Sequence, residues 1–132
     1  MKYMLDTNIC VYLINKHPPQ VIQKFKKIVD GHITMSSIVL SELMYGAYKS
    51  VHQEKNFNAL EKLGLAIPVL PYDHLAAKCF GEIRTPLENN GHTIGAYDLM
   101  IAAHALSIDA ILVTNNLREF KRVKNLRCEN WV

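Results

Sequence analysis

Cysteine is scarce in this chain. Cys10, Cys79 and Cys128 are odd in number, widely spaced and form no C-x-x-C pair. Neither a disulfide framework nor a cysteine zinc site is suggested, and three reduced thiols fit a cytosol. Five prolines and six glycines in 132 residues are too few for a linker-rich or fibrous chain. No stretch approaches the roughly 18–20 apolar residues of a membrane span. Met1-Lys2-Tyr3-Met4-Leu5-Asp6 meets an acid before any uninterrupted signal-like apolar run forms. A soluble, cytoplasmic protein with no membrane partner is expected. G-x-S-x-G, P-loop and G-x-G-x-x-G motifs are all missing, which leaves hydrolase-triad, NTPase and dinucleotide readings unsupported. Six histidines show no H-E-x-x-H or paired spacing.

What is present fits one globular domain over residues 1–132. Hydrophobic residues make up 49% of the chain and charged residues 20%, enough to build a core. The net charge of +3 permits a polyanionic partner without demanding one. There is no internal repeat and no low-complexity segment.

Short apolar runs alternate with helical patterns. Strands are expected at Tyr3–Leu5, His32–Met35, Ile67–Leu70, Ala110–Val113 and Leu126–Cys128. The prolines at 68 and 71 place the third near a sheet edge. Helices are expected at Ile9–Ile14, from Pro18-Pro19 through Val29, after a Ser36 or Ser37 cap, around Glu54–Leu63, from an Asp73 cap to Glu88, and at Ala96–Ser107. In the third helix Leu40, Leu43, Met44 and Ala47 follow i, i+3, i+4, i+7. Ala96–Ser107 is apolar nearly all round and should be buried, with His104 a hydrogen-bonded core histidine. Asn89-Asn90-Gly91 reads as a turn. Met44, Tyr45 and Tyr48 read as core or dimer surface. The alternation predicts an α/β fold with a parallel sheet covered by helices. Such sheets bind ligands beyond the carboxyl ends of their strands.

Acidic and polar residues gather at that edge. Asp6 ends the first strand; alone it reads as a helix cap, but Thr7 and Asn8 extend the polar run. Glu42 lies early in the third helix, where a solvated glutamate near a favourable dipole is the commoner case. Asp98 opens the apolar helix and is either a dipole partner or a site residue. Thr114-Asn115-Asn116 follows the fourth strand as a polar turn, and Glu119 comes three residues later. Clustered carboxylates raise one another's pKa values unless a cation neutralises them. Mg²⁺ suits such oxygen ligands and accepts phosphate as a further one. Beside these acids run Arg118, Lys121, Arg122, Lys124 and Arg127, a tract placed to contact phosphate. Lys24, Lys26 and Lys27 read as an ordinary helix surface.

These motifs resemble the PIN-domain nucleases, with the nearest likeness to VapC-type toxins of bacterial toxin–antitoxin pairs. The likeness rests on Met4-Leu5-Asp6-Thr7-Asn8, on Ser41-Glu42-Leu43 with Tyr45-Gly46, on Asp98, and on Val113-Thr114-Asn115-Asn116. It covers essentially the whole chain. It implies an α/β/α sandwich with about five mostly parallel strands, Mg²⁺- or Mn²⁺-dependent endoribonuclease activity, and a homodimer. It also implies a VapB-type antitoxin, whose C-terminal segment blocks the site in a hetero-oligomer. The implied substrate is structured RNA, such as the anticodon stem-loop of initiator tRNA. Asp6, Glu42 and Asp98 match the family acids, with Asp6 and Asp98 the expected direct metal ligands. Many relatives carry an acid where this chain has Asn116; Glu119 is placed to substitute. Thr7, Asn8, Thr114 and Asn116 would support the acids, and Arg118, Lys121 and Arg122 would bind RNA.

Two other readings fit parts of the pattern. An aspartate-nucleophile phosphatase also ends its first strand in Asp, but wants an acid where Asn8 stands. A non-catalytic RNA-binding or regulatory module with a vestigial acid site is encouraged by Asn116.

Overall fold

The computed structural model describes residues 1–28 and 31–132. The chain runs β1 (Tyr3–Leu5), α1 (Thr7–Asn15), α2 (Pro19–Lys27), β2 (Ile33–Ser36), α3 (Ser37–Lys49), α4 (Gln53–Ala66), β3 (Val69–Leu70), α5 (His74–Asn89), α6 (Ala96–Ser107), β4 (Ile111–Val113), α7 (Leu117–Phe120) and β5 (Cys128–Glu129). Val29, where the sequence placed the end of the second helix, lies outside the described residues.

The five strands form one parallel sheet in the order β3-β2-β1-β4-β5. Every residue of β2 and β4 is buried, so helices cover both faces and the architecture is an α/β/α sandwich. The prolines predicted an edge position for the third strand, and β3 is an edge strand. It is shorter than expected because Pro68 has no N–H to donate, although its carbonyl accepts from Met35 N–H at 3.0 Å. Register also moves the last strand: pairing of Leu112 with Cys128 and of Val113 with Glu129 centres β5 past Leu126.

Capping sets the helix starts. Asp73 accepts from the N–H groups of Leu75 and Ala76, both at 3.1 Å. Ser36 caps α3 by accepting from Ile38 N–H at 3.1 Å. The α5 helix ends in a turn closed by Gly91 at φ 70, a conformation that favours glycine. α6 is the central helix: Leu99, Ile101, Ala102, Ala103, His104 and Ala105 are all buried. Burial of each larger apolar side chain there contributes about 1.5–3 kcal/mol.

The expected stripe of α3 is met at Leu43 and Ala47, which are buried, and at Leu40, which packs against the core, but Met44 is exposed and Val39 is buried instead. The apolar pattern fits two rows one residue apart, and the tertiary packing of α3 selects between Val39 and Met44. Tyr45 and Tyr48 are exposed and not core, and Tyr48 meets Phe57 edge-on. Lys24, read as ordinary surface, approaches Glu129 at 3.7 Å. All three cysteines are free. Among the described residues, no helix is long and apolar enough to cross a membrane.

Candidate active site

In this strand order β1 is central, with β2 and its connection on one side and β4 on the other. The crevice beyond the ends of β1 and β4 is a topological switch point, where open α/β sheets bind ligands. Asp6 leaves β1 at that point, and its N–H donates to Val113 of β4 at 2.9 Å. Asp6 is therefore both the helix cap and a site candidate. Its Oδ1 accepts from Thr7 N–H at 2.8 Å, and its Oδ2 accepts from Thr114 Oγ1 at 2.8 Å.

The polar residues form one continuous hydrogen-bonded chain. Thr7 Oγ1 donates to Glu42 Oε1 at 2.7 Å, which joins α1 to α3. Thr114 Oγ1 accepts from Asn116 N–H at 3.0 Å, and Asn116 Nδ2 donates to Glu119 Oε2 at 3.1 Å. Three of the four predicted acids, Glu42, Asp6 and Glu119, thus lie along one relay. Asp98 stands in the first turn of α6 outside that relay but within its field. Burial first, then the charges of Asp6, Glu119 and Glu42, push its pKa up to about 6. Burial likewise raises Asp6, against its two hydrogen bonds and with help from Glu42. The structure thereby brings all four acids into one electrostatic cluster. Asn8 is exposed and stands apart from this relay.

A PIN-domain family model matches residues 3–126. The chain belongs to the PIN-domain family. It is 49% identical over 135 residues to "Ribonuclease VapC2" of Rickettsia felis, covering 99% of this chain and 98% of that one. It is 46% identical over 131 residues to "tRNA(fMet)-specific endonuclease VapC" of Shigella flexneri, with 99% and 98% covered. Among solved structures, VapBC2 from Rickettsia felis bound to a promoter DNA fragment superposes with a TM-score of 0.94 at 45% identity, covering 100% of both chains. This PIN domain is an enzyme of the VapC ribonuclease group.

The acids of the PIN domain carry uncompensated charge. Among the described residues none of the four forms an ion pair with lysine or arginine. No three side chains of His, Cys, Asp or Glu there are already grouped as metal ligands. The donor set still fits a hard cation, because it is all oxygen and its mutual repulsion is relieved by positive charge. Mg²⁺ keeps several waters and takes only one or two carboxylates directly, so a closed cage is not required.

A raised carboxyl pKa has a defined sign in stability. Folded Asp98 holds its proton up to about pH 6, and the unfolded side chain releases it near the ordinary aspartate value of 3.8. Between those values the folded state binds more protons, so this group stabilises the metal-free protein as pH falls from 7 towards 4.5. The half-buried carboxyl is partly screened, and the expected effect is about 1–2 kcal/mol. The stability difference between wild type and Asp98→Asn, followed by thermal unfolding from pH 4.5 to 7.5, isolates it. A pH-independent difference overturns this assignment.

The basic tract is divided by the fold. Arg122 donates to the Thr93 carbonyl at 3.2 Å, and Arg127 pairs with Asp109 at 3.0 Å. Arg118 and Lys121 are exposed on and just after α7, the same turn that carries Glu119. α7 itself was missed from sequence, where Thr114-Asn115-Asn116 read as a polar turn and no helix was expected after it. The one available signal was Leu117 and Phe120 at i, i+3, and Phe120 is fully buried.

Proposed function

We propose that this PIN domain, spanning residues 1–132 as one unit, is a Mg²⁺-dependent endoribonuclease and the toxin of a VapBC-type pair, with Mn²⁺ able to replace Mg²⁺. The observation that carries this reading is the acid cluster without cation partners at the sheet's switch point. Asp6 and Asp98 would hold the ion, which would supply positive charge to the phosphate and to the attacking water. Glu42, oriented by Thr7 Oγ1, would accept a proton from the attacking water. Thr114 holds Asp6 in place through Oδ2, and Asn116 holds Glu119. Glu119 thereby stands in for the acid that many relatives carry at the Asn116 position. Because protons on Asp98 and Asp6 compete with the metal, the half-saturating Mg²⁺ concentration rises as pH falls below about 6.

The substrate is structured RNA; the name of the Shigella flexneri relative supports an initiator tRNA, within which the anticodon stem-loop is the proposed target. Arg118 and Lys121 supply phosphate contacts, with Arg122 mainly tying down the Thr93 loop. Neutralising Arg118 and Lys121 together lowers the salt dependence of RNA binding by about 1.4–1.8 in log–log slope. Arg122→Ala lowers it less. An unchanged slope in the double variant refutes the phosphate role.

A VapB-type antitoxin is the expected partner, as in the VapBC complexes this fold superposes on. A groove of about 1390 Å³ lined by α1, α2 and α4 suits an amphipathic acidic segment. Lys16, Lys26, Lys55 and Lys62, against Glu54, rim an apolar floor around Phe25. The active form is a cytoplasmic homodimer that joins the antitoxin in a hetero-oligomer.

The deciding experiment incubates purified protein with total cellular RNA, with Mg²⁺ or with EDTA. Discrete fragments that require metal establish the nuclease, and end-mapping identifies the target. Folded, antitoxin-free protein that cleaves nothing supports a non-catalytic RNA-binding module instead, the reading that Asn116 favours.

A further inference from the structure

The acids sit on different helices, and something must hold those helices in register. α3 carries Glu42 and α6 carries Asp98. Where the two meet, His104 of α6 lies 2.7 Å through Nδ1 from Ser36 Oγ. His104 is 2% exposed and Ser36 fully buried. The same Ser36 oxygen accepts from Ile38 N–H and so caps α3. One atom therefore fixes the start of the Glu42 helix and its contact with the Asp98 helix. The neighbouring Ser37 Oγ accepts from Tyr72 N–H at 3.0 Å, and the Tyr72 ring stands edge-on to the His104 imidazole at 5.7 Å. The imidazole is thus held on two sides. Burial lowers its pKa, against an opposing pull from Asp73, so it is neutral at pH 7 and bonds as a dipole.

We propose that the Ser36–His104 hydrogen bond is a positioning device that sets the spacing of Glu42 and Asp98, and through it the affinity of the site for its metal. His104 and Ser36 are positioning residues and touch neither substrate nor metal. The proposal rests on the metal-nuclease reading above. Groups hydrogen-bonded directly to metal ligands typically cost about 10–100-fold in metal affinity or activity when removed, and Ser36 and His104 act on the acids through the helices that carry them. A carboxylate displaced by about 1 Å has an effect of the same order.

The test measures Mn²⁺ binding by electron paramagnetic resonance, alongside kcat, KM and the unfolding midpoint, for Ser36→Ala, His104→Ala, the double variant and His104→Asn. The Asn amide can stand where Nδ1 stood. Each single Ala variant is expected to weaken Mn²⁺ binding and kcat by about 10–100-fold with KM for RNA within about twofold. The double variant should be no worse than the worse single, since both remove one bond. His104→Asn should recover most of the loss. Leu60→Ala, a core change in α4, controls for destabilisation and should leave Mn²⁺ binding unchanged. If His104→Ala does not fold, Ser36→Ala and His104→Asn still decide. Wild-type Mn²⁺ affinity in the Ala variants, losses that add in the double, or an equal loss in Leu60→Ala each overturn the tie. Wild-type protein that binds Mn²⁺ but cleaves no RNA overturns the nuclease reading alone, and the binding series still judges the positioning role. Wild-type protein that binds no Mn²⁺ overturns both.

Discussion

Asp6→Asn is expected to cleave RNA about 10³-fold more slowly than wild type, with folding and RNA binding retained. The substitution removes one negative charge from the proposed metal site and almost no volume. The Asn carbonyl can still accept from Thr7 N–H, as Oδ1 does now. What is lost is the second acceptor oxygen, which holds Thr114 Oγ1. Asp6 has a raised pKa, so its ionised form is unfavourable in the metal-free fold at pH 7. Relief of that charge offsets the loss of the Thr114 hydrogen bond, so the neutral variant keeps its fold without metal. Its second signature lies in Asp98. Asp6 is the largest charge acting on that carboxyl, so the Asp98 pKa falls below about 6 in the variant. An NMR titration of the Asp98 carboxyl checks this independently of cleavage. Full activity in Asp6→Asn removes Asp6 from the metal site; an unmoved Asp98 removes the proposed coupling.

Phe120→Ala carries the largest expected loss of stability, about 3–5 kcal/mol. Phe120 is among the largest fully buried side chains, yet it sits on a one-turn helix of four residues. So short a helix has little stability of its own and is held by what it buries. Against a typical total of 5–15 kcal/mol, that loss lowers the unfolding midpoint by roughly 10 °C or more. Glu119 lies on the same turn, so activity should fall further than stability alone requires. Arg118→Ala, exposed on that turn, should change stability by less than about 0.5 kcal/mol. Chemical denaturation of the three proteins decides. Equal stability of Phe120→Ala and Arg118→Ala shows that α7 is not anchored by the ring.

The contrast between α6 and α7 shows which signals a sequence carries well. Ala96–Ser107 is predicted with the boundaries observed, because a long run of strong helix formers leaves no competing period. Asp73 and Ser36 are legible as caps because their side chains satisfy N–H groups two or three residues away. α7 has no such local cause. Its ring is buried only by the rest of the fold, and a single turn has little stability of its own. The row that α3 buries was also undecided locally, since two rows of apolar residues lie side by side on it.

Sequence by itself determined the α/β class, the order of the strands and of every described helix but α7, and three acids at a strand end or early in a helix, with Glu119 just past the fourth strand. These follow from periodicity, capping and turn chemistry, which act over a few residues. Only the tertiary structure decided how those acids are joined. Asp6 and Thr114 are 108 positions apart, Thr7 and Glu42 are 35 apart, and Ser36 and His104 are 68 apart. Their contacts exist because parallel pairing places the ends of β1 and β4 side by side and folds α3 and α6 against them. The raised pKa of Asp98 has the same origin. Desolvation and like charge depend on distance in space, and the packing of the sheet and helices sets that distance.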